Sequence, residues 1–258
     1  LMFDFSKAPN KVGQAVSCTT CHGPHDVTAD NPVGLRSDKS VLCGTCHQEK
    51  WQNVLLEGIA GDLGSAYEYA GTDYATQNPH NTDDKCILCH VNRETSLPDA
   101  AGVASLGGHT MRMRDAGPDG KLGGLGPSAD DRARMREENS ADDVLNLAPC
   151  KQCHPDATSF DMDGKQQEIY ALWTKLGNML REQNSGVLPG YKPGDKCATC
   201  HRGGTLPFDN DPALVLENAY TNYKLVANDR SWGIHNYQYT KLLLEDSIRS
   251  LTNYLAGK

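Results

Sequence analysis

The chain has 258 residues and a formal charge of −8 at pH 7, from 33 acidic and 25 basic side chains. That balance argues against nucleic acid as a partner, because phosphate backbones bind cationic surfaces, and leaves a basic protein or a metal oxide surface open. Hydrophobic residues make up 38% and aromatics 7%, against 25 Gly and 13 Pro. So small a supply of core-forming side chains predicts that something other than an ordinary apolar core fills the middle.

In chain order, the opening Leu1-Met2-Phe3-Asp4-Phe5 lacks the basic region and long apolar run of a signal peptide, and is expected to be the mature end of an exported chain. Five identical patterns follow, and they use every one of the ten cysteines: Cys18-x-x-Cys21-His22, Cys43-x-x-Cys46-His47, Cys86-x-x-Cys89-His90, Cys150-x-x-Cys153-His154 and Cys197-x-x-Cys200-His201. His25 lies three residues beyond the first motif. A short helix is expected over 48–56 after the second, on the premise that the motif's histidine opens a helical turn. His80 follows Pro79 shortly before the third motif, and His109 sits in Gly107-Gly108-His109-Thr110-Met111-Arg112-Met113, where paired glycines permit close backbone approach to a flat cofactor.

The stretches 115–120 and 161–164 have the Asp and Gly content of calcium loops without the full ligand pattern, and read as solvated turns. Amphipathic helices are predicted at 165–184, with Ile169, Leu172, Trp173, Leu176 and Leu180 on one face, and at 212–228 and 237–255, the last presenting Leu242, Leu243, Ile248, Leu251 and Leu255. Their apolar faces are expected to pack on a cofactor or on each other. His235 lies just before the final helix. No stretch approaches the roughly 18 consecutive apolar residues of a membrane-spanning helix.

In C-x-x-C-H, two thiols form thioether bonds to one haem and the adjacent histidine binds its iron from one face. Zinc is the alternative, since C-x-x-C also offers two thiolates to a tetrahedral metal, but zinc gives no reason for histidine to follow all five pairs. The pattern therefore implies five covalent c-type haems, with His22, His47, His90, His154 and His201 proximal. Haems of this kind are assembled after export, which places the protein in the periplasm or outside the cell. Nine histidines are present; five are proximal, leaving His25, His80, His109 and His235 as distal candidates. One haem must then take another ligand, with Met111 and Met113 as weaker candidates, or keep an open position.

The C-x-x-C-H motifs, the Gly-Gly-His-Thr-Met-Arg-Met segment, Phe160-Asp161 ahead of the helix with Trp173, and Asp229-Arg230-Ser231-Trp232-Gly233-Ile234-His235-Asn236 together resemble the multihaem cytochrome superfamily. That group includes hydroxylamine oxidoreductase, octahaem tetrathionate reductase, cytochrome c-554 and ammonia-forming nitrite reductase. The resemblance implies distal-ligand roles for His109 and His235. The chain departs from the nitrite reductases in ending all five motifs in His rather than one in Lys, and from hydroxylamine oxidoreductase in length and haem number. Its density of motifs is also similar to that of filament-forming extracellular cytochromes.

The expected fold is mainly α with extensive loops, haem-cored, with little or no β-sheet: a loop-rich region over 1–160 carrying four motifs and a helical region over 161–258 carrying the fifth, forming one continuous unit. The expected function is electron transfer between redox donor and acceptor proteins or to an extracellular acceptor, possible also as a homopolymer. The alternative is a small reductase or oxidase acting on a nitrogen or sulfur compound at an open haem, and a binding or sensing role through that iron is a third reading.

Overall fold

The computed structural model describes residues 17–47, 51–92, 106–115, 143–183 and 212–257. The fifth motif (Cys197, Cys200, His201), the side chain of Cys46, and residues 48–50 and 116–120 lie outside the described residues. The fold is mainly α, with long loops and, among the described residues, one two-stranded sheet.

Helices α1 (Cys18–Cys21), α2 (Lys39–Leu42), α3 (Gly44–His47), α4 (Trp51–Glu57), α5 (Lys85–His90) and α6 (Ala148–Lys151) are short, whereas α7 (Lys165–Gln183), α8 (Pro212–Asp229) and α9 (Tyr237–Ala256) are long. The three long helices run close to the expected bounds. Between the third and fourth motifs, strands β1 (Arg114–Asp115) and β2 (Val144–Leu145) pair antiparallel, Arg114 opposite Leu145.

Two expectations need correction. An ordinary apolar core is present after all: Ile169, Leu176, Leu180, Val226, Leu244 and Leu251 are buried between α7, α8 and α9. Composition averaged over the whole chain concealed it, because the apolar residues are concentrated in these helices. The helix expected over 48–56 is present as α4 (Trp51–Glu57), with residues 48–50 outside the described ones, and the second correction concerns only its premise. The motif itself forms the helical turn and its histidine closes that turn rather than opening one. The backbone N–H groups of His22, His47 and His154 bond the carbonyls of Cys18, Cys43 and Cys150 at 2.9, 2.9 and 2.8 Å. Positions three and four apart share a helix face, so both thiols and the imidazole emerge on one side.

An aromatic stack is built into the long-helix core. The Trp173 ring stacks on Tyr223 at 4.5 Å and meets Trp232 edge-on at 5.3 Å, while its indole N–H donates to the Tyr223 carbonyl at 3.0 Å. Gly177 makes room for this stack, since a Cβ there would stand 2.8 Å from the Tyr223 ring.

A second apolar cluster joins α4 and the loop after it to α8 and α9 through Val54, Leu55, Ala60, Tyr74, Leu225, Tyr239 and Leu243. Polar bonds fix its register. The Asn222 side chain pairs with both backbone groups of Tyr67, at 2.8 Å each, and donates to Ser247 Oγ at 3.0 Å. Tyr74 donates to Asp246 Oδ2 at 2.6 Å, and Tyr239 donates to Glu68 Oε1 at 2.6 Å.

Asn222 is fully buried, and its removal leaves the Tyr67 N–H and carbonyl without partners. Asn222→Ala is expected to lower unfolding stability by about 2–4 kcal/mol, read as a fall in the urea midpoint at unchanged slope.

Candidate haem-binding site

The described motifs lie against one another. Cys43 of the second motif hydrogen-bonds to Cys86 of the third, and Cys89 has Cys150 and Cys153 of the fourth as electrostatic neighbours. Helix α5 touches both α2 and α6, so the motifs run second, third, fourth in space. The first joins through the segment after the third, where the His22 and His109 rings lie with centres 6.0 Å apart and planes tilted by 55°.

That segment is held by backbone. Gly108 N–H donates to the Val91 carbonyl at 2.9 Å, Gly107 N–H to Arg112 at 2.8 Å, and Asn146 Nδ2 to the Asn92 carbonyl at 2.7 Å. The close approach that Gly107 permits is to Asn92: its φ is +69°, and a Cβ would collide with the Asn92 carbonyl.

The histidines share one device. Nδ1 of His22 donates to the Val33 carbonyl at 2.7 Å, that of His80 to Ile234 at 2.6 Å, and that of His90 to Met111 at 3.0 Å. A carbonyl can only accept, so each Nδ1 carries the proton and each Nε2 keeps its lone pair for a metal. His235 differs in bonding a carboxylate, Asp229 Oδ1, at 2.5 Å. Burial lowers the pKa of His235, but the Asp229 charge and hydrogen bond outweigh it and the net direction is upward. The pKa of His90 moves down, by burial first and with the imidazoles of His235 and His47 adding to it.

The turn between α8 and α9 serves two of these histidines. Arg230, Trp232 and Gly233 all take positive φ, at 63°, 51° and 93°, which folds 230–236 tightly enough to offer the Ile234 carbonyl to His80. Asn78 Nδ2 bridges the carbonyls of Leu56 and His235 at 2.7 and 2.6 Å. An open cleft of about 550 Å³ is lined by Gln77, Asn78 and Pro79.

The remaining sequence candidates are placed as follows. His25, His47 and His154 are exposed. Met111 contributes its carbonyl to His90 while its side chain is 44% exposed, and the Met113 carbonyl accepts from Asn146 N–H at 2.8 Å. Asp161, from one of the turns with calcium-loop composition, caps α7 by accepting from Gln166 N–H at 2.8 Å.

Haem fits this donor set. The seven cysteines whose side chains are described are free thiols, as thioether formation requires. Two imidazoles bound to one iron, each at about 2.0–2.1 Å as is usual for metal–imidazole bonds, have ring centres roughly 6 Å apart, the spacing of His22 and His109. Val33, Val41 and Met111 are exposed apolar side chains beside the motifs, which an apolar macrocycle would cover. Among the described residues, no group of three or more His, Cys, Asp or Glu side chains converges to hold a metal ion by itself.

Asp229 and the carbonyls of Val33, Met111 and Ile234 had not been identified from sequence. Asp229 stands six residues before His235, a spacing with meaning only once the turn is known, and a carbonyl acceptor leaves no mark because every residue has one.

Residues 8–52, spanning the first two motifs, match the family defined by a doubled CXXCH motif. The match supports covalently bound c-type haem and a multihaem cytochrome c-like chain involved in electron transfer. No curated protein and no solved structure matches the chain.

The thiols are unlike before attachment. The hydrogen bond from Cys43 pulls Cys86 down to about 6, while burial pushes Cys89 up to about 11. In the haem-free chain, Cys86 therefore has more thiolate character than Cys89, so iodoacetamide followed by peptide mapping is expected to label Cys86 first. Cys43→Ala should slow that labelling several-fold.

Proposed function

We propose that the chain is a pentahaem c-type cytochrome that carries electrons along closely packed haems. Haems are held by Cys18/Cys21, Cys43/Cys46, Cys86/Cys89, Cys150/Cys153 and Cys197/Cys200, with His22, His47, His90, His154 and His201 as proximal ligands. The observation that carries this reading is the adjacency of successive motifs: Cys43 hydrogen-bonds to Cys86, and α5, which carries Cys86 and Cys89, packs beside α6 of the fourth motif. When bound, the haem irons supply one-electron Fe(III)/Fe(II) chemistry. The chain's own residues would attach the haems through the cysteine pairs, orient the imidazoles of His22, His80, His90 and His235 through Nδ1, and offer the exposed side chains of Val33, Val41 and Met111 as apolar cover.

His109 is assigned opposite His22 on the ring spacing, and His80 and His235 are distal ligands whose Nε2 atoms are kept free. His25 is the fourth. The chain works in the periplasm or outside the cell, between a redox donor and an acceptor, and a polymer of copies would extend the same conduction.

A second reading rests on the histidine count. Five proximal histidines against four others leave one haem without a histidine partner, and an open iron there would support a small reductase or oxidase acting on a nitrogen or sulfur compound.

Pyridine haemochrome analysis against protein concentration is expected to give five haems per chain; a count of four or fewer rules out the pentahaem assignment. His109→Ala should keep that count while converting one haem from low to high spin by electron paramagnetic resonance. Binding of carbon monoxide or nitrite by the unaltered reduced protein would favour the enzyme, and a low-spin spectrum unmoved by either would favour the carrier.

A further inference from the structure

The four histidines with an anchored Nδ1 are not chemically alike. Those of His22, His80 and His90 donate to neutral backbone carbonyls, whereas His235 donates to Asp229, whose side chain is 1% exposed. A buried carboxylate pulls the Nδ1 proton harder than a carbonyl does and gives the ring imidazolate character. A more anionic ligand stabilises ferric over ferrous iron. We propose that Asp229 is a positioning residue that makes the haem ligated by His235 the lowest-potential of the haems whose histidines are anchored in this way, so that electrons leave it readily for its neighbours.

The site is built for this. Asp229 is the last residue of α8, and its second oxygen, Oδ2, accepts from both the hydroxyl and the N–H of Ser231. Ser231 Oγ in turn accepts from the His235 N–H at 3.2 Å. The carboxylate is thus fixed in rotamer, and the serine hydroxyl draws part of its charge away from the imidazole. The two residues act in opposite directions: Asp229 lowers the potential, and Ser231 limits how far.

The inference rests on His235 being an iron ligand, and the experiment separates the two. Spectroelectrochemical titration of the full holoprotein is compared with Asp229→Asn, Asp229→Glu, Ser231→Ala and His235→Met. The Asn variant keeps a hydrogen-bonding group without the charge, and is expected to raise the potential that His235→Met also moves by about ten-fold in the reduction equilibrium, about 59 mV for a one-electron step, with the other steps unmoved. Glu should restore the low value, and Ser231→Ala should move the same step down. If His235→Met leaves the axial-ligand spectrum and every potential unchanged, His235 is not a ligand and the function reading loses that assignment. If His235→Met changes them but Asp229→Asn leaves all potentials in place, the ligand stands and the role of Asp229 is overturned. Should Asp229→Asn assemble with fewer haems, Ser231→Ala decides alone: a downward shift supports the proposal, and no shift or an upward one overturns it.

Discussion

Burial of Trp232 against α7 in the long-helix core is the constraint from which the histidine geometry follows. The indole is 5% exposed and is met edge-on by both Tyr170 and Trp173. To place it there, the chain leaving α8 must reverse through Arg230 and Trp232 with positive φ, a conformation that costs of order 1–3 kcal/mol per non-glycine residue and persists only where surrounding packing over-determines it. The aromatic core supplies that packing. The same reversal sets His235 against Asp229 and turns the Ile234 carbonyl toward His80, so the orientation of two candidate ligand imidazoles depends on one packed indole.

The molecule therefore divides its labour by chemistry. The long helices bury apolar area in the usual way, and contribute rigidity. The motif segments bury little: α1, α2 and α5 have no buried residue of their own. They are held by backbone hydrogen bonds, by the β1–β2 pair and by Asn31, whose side chain bonds the Asp26 carbonyl and both backbone groups of Leu35. Peptide wrapped in this way leaves apolar side chains and imidazoles facing outward, an arrangement suited to a flat apolar cofactor that supplies the missing packing. The proposed electron transfer rests on this adjacency, since neighbouring motifs would hold their haems near one another.

The polar interior serves the join between these parts. Asn222, Asp246 and Tyr239 are buried and each meets a partner from the 60–74 loop. Buried polar groups tolerate few alternative partners, so these bonds fix how the loop, and with it α4 and the second motif, lies across α8 and α9.

The sequence by itself determined the haem chemistry, because C-x-x-C-H is a local pattern in which five residues within one turn contain the whole attachment device. It also determined the long helices, where 3.6-residue periodicity runs uninterrupted through Ile169, Trp173, Leu176 and Leu180. The tertiary structure alone decided which motifs touch, what each histidine's second nitrogen bonds, and that the helical faces pack on one another. These depend on residues far apart in the chain, such as His80 with Ile234 and Tyr74 with Asp246, and on carbonyl oxygens common to every residue. No periodicity or spacing encodes such pairs; they exist only once the chain has folded back on itself.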